Sequence, residues 1–114
     1  MNTTPNPEKS STGLEANLAG ALAYALGPIT GILFLVLEKD SKFVRFHAMQ
    51  STITFLALFA VSVVLSFIPI LGWIVAFFLQ LAAVVLWLVL MFKAFQGEKF
   101  KLPTIGDLAE RQVQ

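Results

Sequence analysis

Stretches of this chain without any full charge run to lengths that match a lipid bilayer, which excludes most of the ways in which 114 residues can fold. No charged residue lies between Ala16 and Leu37. At about 1.5 Å per residue, a helix over that run crosses a hydrocarbon core of about 30 Å. Between Arg45 and Lys93 only His47 can carry charge. That second stretch is too long for one span and suits two, and Pro69-Ile70-Leu71-Gly72 divides it where proline stops a helix and glycine permits a turn. The expectation is an all-α integral membrane protein. It has three transmembrane helices, at about 14–37, 48–68 and 73–93, with a tight hairpin between the second and third. Composition agrees: 57% of residues are hydrophobic and 13% charged, against about half and about a quarter in soluble domains.

The flanks are polar. Residues 1–13 are rich in Asn, Thr, Pro and Ser and read as a flexible tail. Thr12 and Glu15 have the spacing of a capping box. The leader is poor in bases and the apolar run behind it too long for a cleaved signal, so the first span is expected to stay in place. Residues 38–47 form a basic amphipathic loop within the 14–95 membrane domain. Residues 96–114 are a polar C-terminal tail, in which Pro103 and Gly106 prevent a long helix; 107–113 suits a helical turn, but a loose tail is the simpler reading.

Three spans would place Lys9 on one side of the membrane. Lys39, Lys42, Arg45, Lys93, Lys99, Lys101 and Arg111 would lie on the other. Bases in short flanks stay cytoplasmic. The expected placement is therefore a multi-pass protein of the cell membrane, N-terminus outside and C-terminus in the cytoplasm.

Three groups of residues stand out. Ala19, Ala23, Gly27 and Gly31 are spaced four apart and would share one face of the first helix, where small residues let another backbone approach in lipid. Lys42, Phe43, Arg45, Phe46 and His47 form an amphipathic pattern at the mouth of the second span. They suit an interfacial anchor, or a site for an anionic lipid. Asn17, Tyr24 and Gln80 are polar groups at similar depth, and Gln80 is expected to bond to Tyr24 or Asn17 across helices.

Little of this is catalytic. His47 and Ser51 are four apart, but a dyad needs an oriented third group, and this is the one histidine. No cysteine is present to bind metal or form a disulfide. No acid or base lies deep in a span, where coupled transporters place them. The expectation is no catalytic residue, no metal and no cofactor, and with a net charge of +1 no nucleic-acid partner.

The segments Ser11-Thr12-Gly13-Leu14, Asn17-Leu18-Ala19, Gly27-Pro28-Ile29-Thr30-Gly31 and Phe34-Leu35-Val36-Leu37-Glu38-Lys39 point to a family. So, above all, does Phe43-Val44-Arg45-Phe46-His47-Ala48-Met49-Gln50-Ser51. Over about residues 11–95 the chain resembles the Tic-twenty-like family, small prokaryotic membrane proteins of unknown function. They are named for a distant similarity to a four-helix component of plastid protein import. The resemblance implies a membrane protein and carries over no catalytic residue. Three functions follow as expectations. The first is a non-enzymatic protein acting through helix packing, as a homo-oligomer or with a membrane-protein partner. The others are an oligomeric pore or carrier hinged at Pro28, and an anionic-lipid-binding protein.

Overall fold

The structure, a computed structural model, describes residues 10–113. It is all-helical. The first apolar run does not make one helix. It makes two, α1 (Ala16–Ala25) and α2 (Pro28–Leu37), joined at Leu26-Gly27. Gly27 has φ 63° and ψ −129°, a conformation open to glycine and closed to other residues. Its N–H donates to Tyr24 O at 3.0 Å. Pro28 follows as the first residue of α2, where its missing N–H is no loss and its fixed φ suits a helix start. The Thr30 hydroxyl completes the turn, donating to Ala23 O at 3.2 Å and accepting from the Leu26 N–H at 3.1 Å. Pro28 therefore begins a helix and does not kink one.

The two short helices run antiparallel. Ser11 N–H and Ser11 Oγ donate to Glu38 Oε2 at 2.8 and 2.9 Å, and the Lys39 N–H donates to Ser11 Oγ at 2.8 Å. One continuous helix would hold residues 11 and 38 about 40 Å apart. The expected first span of 14–37 is thus a helical hairpin, each arm about 15 Å long. The expected capping box does not form either: Glu15 is the N-cap of α1 and makes no side-chain cap bond.

The second apolar stretch forms α3 (Lys42–Ser66) and α4 (Leu71–Phe95), an antiparallel pair of helices long and apolar enough to cross a membrane. α3 starts earlier than expected because Ser41 caps it, accepting from Val44 N–H at 3.2 Å. At the tip Gly72 lies so close to α3 that a Cβ there would collide with Leu65 O, and Trp73 Nε1 donates to Ser66 O at 3.2 Å. α1 packs on the C-terminal half of α4, and α2 on the N-terminal half of α3. Beyond the Gly27 turn, α3 and α4 stand alone and expose Phe59, Val64, Phe67, Phe77 and Phe78.

Residues 98–104 turn back along α3 as an extended strap. A fifth helix, α5 (Ile105–Val113), then docks where the sequence suggested a loose tail. Ala109 and Val113 bury against Phe46, flanked by Met49 and Ile53. Beside that face α5 carries Glu110, paired with Lys99 at 2.9 Å and Lys101 at 2.8 Å.

Glu38 closes the α1–α2 hairpin. Besides Ser11, its carboxylate accepts from Ser10 Oγ and from the N–H groups of Asp40 and Ser41 at 3.1 and 2.9 Å. Burial would raise its pKa, but the hydrogen bonds from Ser10, Ser11 and Ser41 outweigh it and hold the carboxyl down to about 2. A depressed carboxyl stabilises fully above its unfolded value of 4.5, and that contribution disappears as pH falls to about 2. Thermal unfolding in detergent should show the wild type weakening across that window. Glu38→Gln should start about 1–3 kcal/mol less stable and lack this dependence.

Candidate functional site

The most concentrated polar chemistry lies where α1, α3 and the strap meet. Tyr24 OH is 2.7 Å from His47 Nδ1, and Gln50 Nε2 donates to Tyr24 OH at 2.9 Å. His47 Nε2 is 3.0 Å from Glu98 O. A carbonyl only accepts, so Nε2 carries the proton, Nδ1 accepts from Tyr24, and the donors run Gln50 to Tyr24 to His47 to Glu98. Gln50 also donates to Phe100 O at 2.9 Å and accepts from Leu102 N–H at 2.9 Å. Tyr24, His47 and Gln50 are all fully buried. Phe43, Phe46 and Tyr24 stand edge-on to the His47 ring at 4.5, 5.0 and 5.4 Å. Trp87 Nε1 donates to Tyr24 O at 2.7 Å and brings in α4.

This geometry does not assemble a nucleophile. Ser51, the partner that sequence spacing offers His47, instead donates to Gly27 O at 3.0 Å and fastens the hairpin turn to α3. Each hydrogen-bonding group of the His47 ring already has a partner from this chain. Among the described residues, no group of three or more His, Asp or Glu side chains is placed to hold a metal ion.

The basic amphipathic block is used differently from the expectation. Phe43 and Phe46 are core residues, not groups dipping into lipid. Arg45 Nη1 donates to Leu35 O at 3.1 Å and Glu38 O at 2.9 Å, satisfying carbonyls at the end of α2. Of the five residues, Lys42 alone is exposed. The four small residues do not share one helix face, because the hairpin divides them between α1, the turn at Gly27 and α2. Ala19 and Ala23 are buried on α1. A Cβ on Gly31 would come within 2.6 Å of Thr52 Oγ1 and 3.0 Å of Ala48 O. Gly27 belongs to the turn and lies against Phe55. Asn17 is buried on α1. Gln80 reaches neither Asn17 nor Tyr24, because α1 ends at the level of Trp87; its Nε2 donates to Ser62 Oγ at 3.0 Å. The hinge assigned to a pore is gone, since Pro28 is the first residue of α2 and does not lie inside a helix.

Sequence reasoning missed Gln50, Glu38 and Trp87 as structural centres. His47, Gln50 and Ser51 at one-turn spacing in an otherwise apolar helix were the available signal.

A family model described as the magnetosome magnetite crystal formation protein family (MamF/MmsF) matches residues 9–109. A UPF0132 membrane protein of Methanocaldococcus jannaschii is 57% identical over 106 residues, covering 93% of this chain and 96% of the relative. A UPF0132 membrane protein of Archaeoglobus fulgidus is 54% identical over 100 residues, covering 88% and 97%. No solved structure matches. These matches overturn the Tic-twenty-like resemblance: the Phe43 to Ser51 block that carried it lies inside the residues matched by the other family.

Tyr24→Phe leaves His47 Nδ1 without its donor and Gln50 with one of its two acceptors, Phe100 O, and should lower stability in detergent by about 1–3 kcal/mol. Gln50→Leu should release the strap, read as faster hydrogen exchange at the Leu102 amide with α4 amides unchanged.

Proposed function

We propose, from the premise that the chain belongs to the MamF/MmsF family, that it is a non-enzymatic membrane protein that acts through contacts with further copies of itself or with a partner subunit. In this reading α3 and α4 cross the bilayer of the cell membrane, and the α1–α2 hairpin dips into one leaflet and returns. Ser10 and Glu98 then lie on one side, with Lys39, Lys42, Lys93, Lys99 and Lys101, and the basic excess makes that side cytoplasmic. The N-terminal side of the chain is cytoplasmic too, because Ser10 sits at Glu38.

The family's description ties its members to magnetite crystal formation. In this chain four of the described carboxylates, Glu38, Glu98, Asp107 and Glu110, bond to the chain's own donors. The reading offered is of a protein that organises its membrane.

One observation carries the self-association. Gln80 lies exposed near the middle of α4, well inside the bilayer on this placement, and gives one donor to Ser62. That bond leaves its carbonyl and second N–H for a further partner, and lipid has no hydrogen bond to offer where a neighbouring helix does. Energy transfer between labelled copies in vesicles tests this. Gln80→Leu should weaken association about ten-fold, the scale of one interhelical polar contact of about 1–2 kcal/mol. Unchanged association would remove Gln80 as the contact, and a monomer at every protein density would remove the reading.

A further inference from the structure

The two ends of the molecule differ in width, and this has a consequence for the membrane around it. On the side of Glu38 and Glu98 the cross-section holds α1, α2, the lower halves of α3 and α4, the strap and α5. On the other side it holds α3 and α4 alone. The molecule is 50 Å long and 27 by 22 Å across. The arms of the hairpin are about 15 Å long, half a hydrocarbon thickness. Their outward residues are apolar: Leu18 and Leu22 on α1 are each 37% exposed, and Ile32, Leu33 and Val36 on α2 are 47, 48 and 67% exposed. Leu26 and Ile29, at the turn, are 63 and 69% exposed. These residues have acyl chains as their fitting surroundings, so the hairpin sits within the leaflet and displaces its lipids.

We infer that the protein is a leaflet wedge that prefers, and stabilises, membranes convex on the side of its broad end. The partner is the bilayer itself. Two helices of about 10 Å diameter occupy the far leaflet, while the near side holds parts of all five helices and the strap. A convex leaflet gives more area to each inclusion at its surface, so a body wide there relieves stress that a parallel-sided body does not. The wedge is rigid because its parts are bonded to one another. Glu38 closes the hairpin mouth, Ser51 fixes its turn to α3, and Trp87 fixes Tyr24 to α4. With the basic end cytoplasmic, the preferred membranes bulge toward the cytoplasm, as small internal vesicles or tubes do.

This rests on α3 and α4 being spans, and the test separates the two claims. Full-length protein with a fluorescent tag at Gln114 is reconstituted into vesicles of mixed radius. Resistance to carbonate extraction reports insertion, and external protease sorts the two orientations. Density per area should rise several-fold from the largest to the smallest vesicles where the tag faces out. It should fall with curvature where the tag faces in. A variant with Leu22→Ser, Ile32→Ser and Val36→Ser should stay inserted through α3 and α4 and lose most of that dependence. Protein washed off by carbonate would overturn the spans and the wedge together. Inserted protein with the same density at every radius, in both orientations, would overturn the wedge alone.

Discussion

A glycine at positive φ followed by a proline that needs no N–H turns the first apolar run back on itself, and the rest of the molecule depends on that reversal. Because the run returns, Glu38 meets Ser10 and Ser11. Because its arms are half a bilayer long, they cover only the lower halves of α3 and α4. The upper halves stay bare, the two ends differ in width, and both described ends of the chain lie at the same end of the molecule. A straight helix over the same residues would reverse each of these features.

The reversal is held by polar contacts in an apolar setting, where an unmet donor or acceptor is costly. Tyr24, His47 and Gln50 tie α1 to α3, and through Glu98, Phe100 and Leu102 they tie both to the strap. The strap in turn presents α5 to Phe46. Local choices and tertiary contacts agree: the turn places Tyr24 beside His47, and that contact holds the turn against α3.

Hydropathy made the α3–α4 pair legible, because absence of charge over a long stretch, broken by Pro69 and Gly72, leaves few alternatives. It could not reveal the fold-back. A charge-free run looks the same whether it crosses or returns. The deciding contacts join Ser11 to Glu38, far apart in sequence. Pro28 was visible, but a kink and a helix start share that residue, and only the φ of Gly27 separates them. Phe43 and Phe46 suit a lipid-facing place in the sequence alone because nothing in their neighbourhood announces that other helices cover them. α5 is hidden for a related reason: preceded by Pro103 and carrying Gly106 in its first turn, it is too short to be stable alone, and burial of Ala109 and Val113 supports it. Gln50 went unassigned because two of its partners are backbone groups of the strap, which no side-chain pattern records.

The most direct measurement is the distance between spin labels at Thr12→Cys and Lys39→Cys, in a chain that has no other cysteine, reconstituted in lipid vesicles. A first run that returns puts the two labels side by side, separated by little more than their own arms. A first run that crosses puts them about 40 Å apart, and that value would contradict the fold described here.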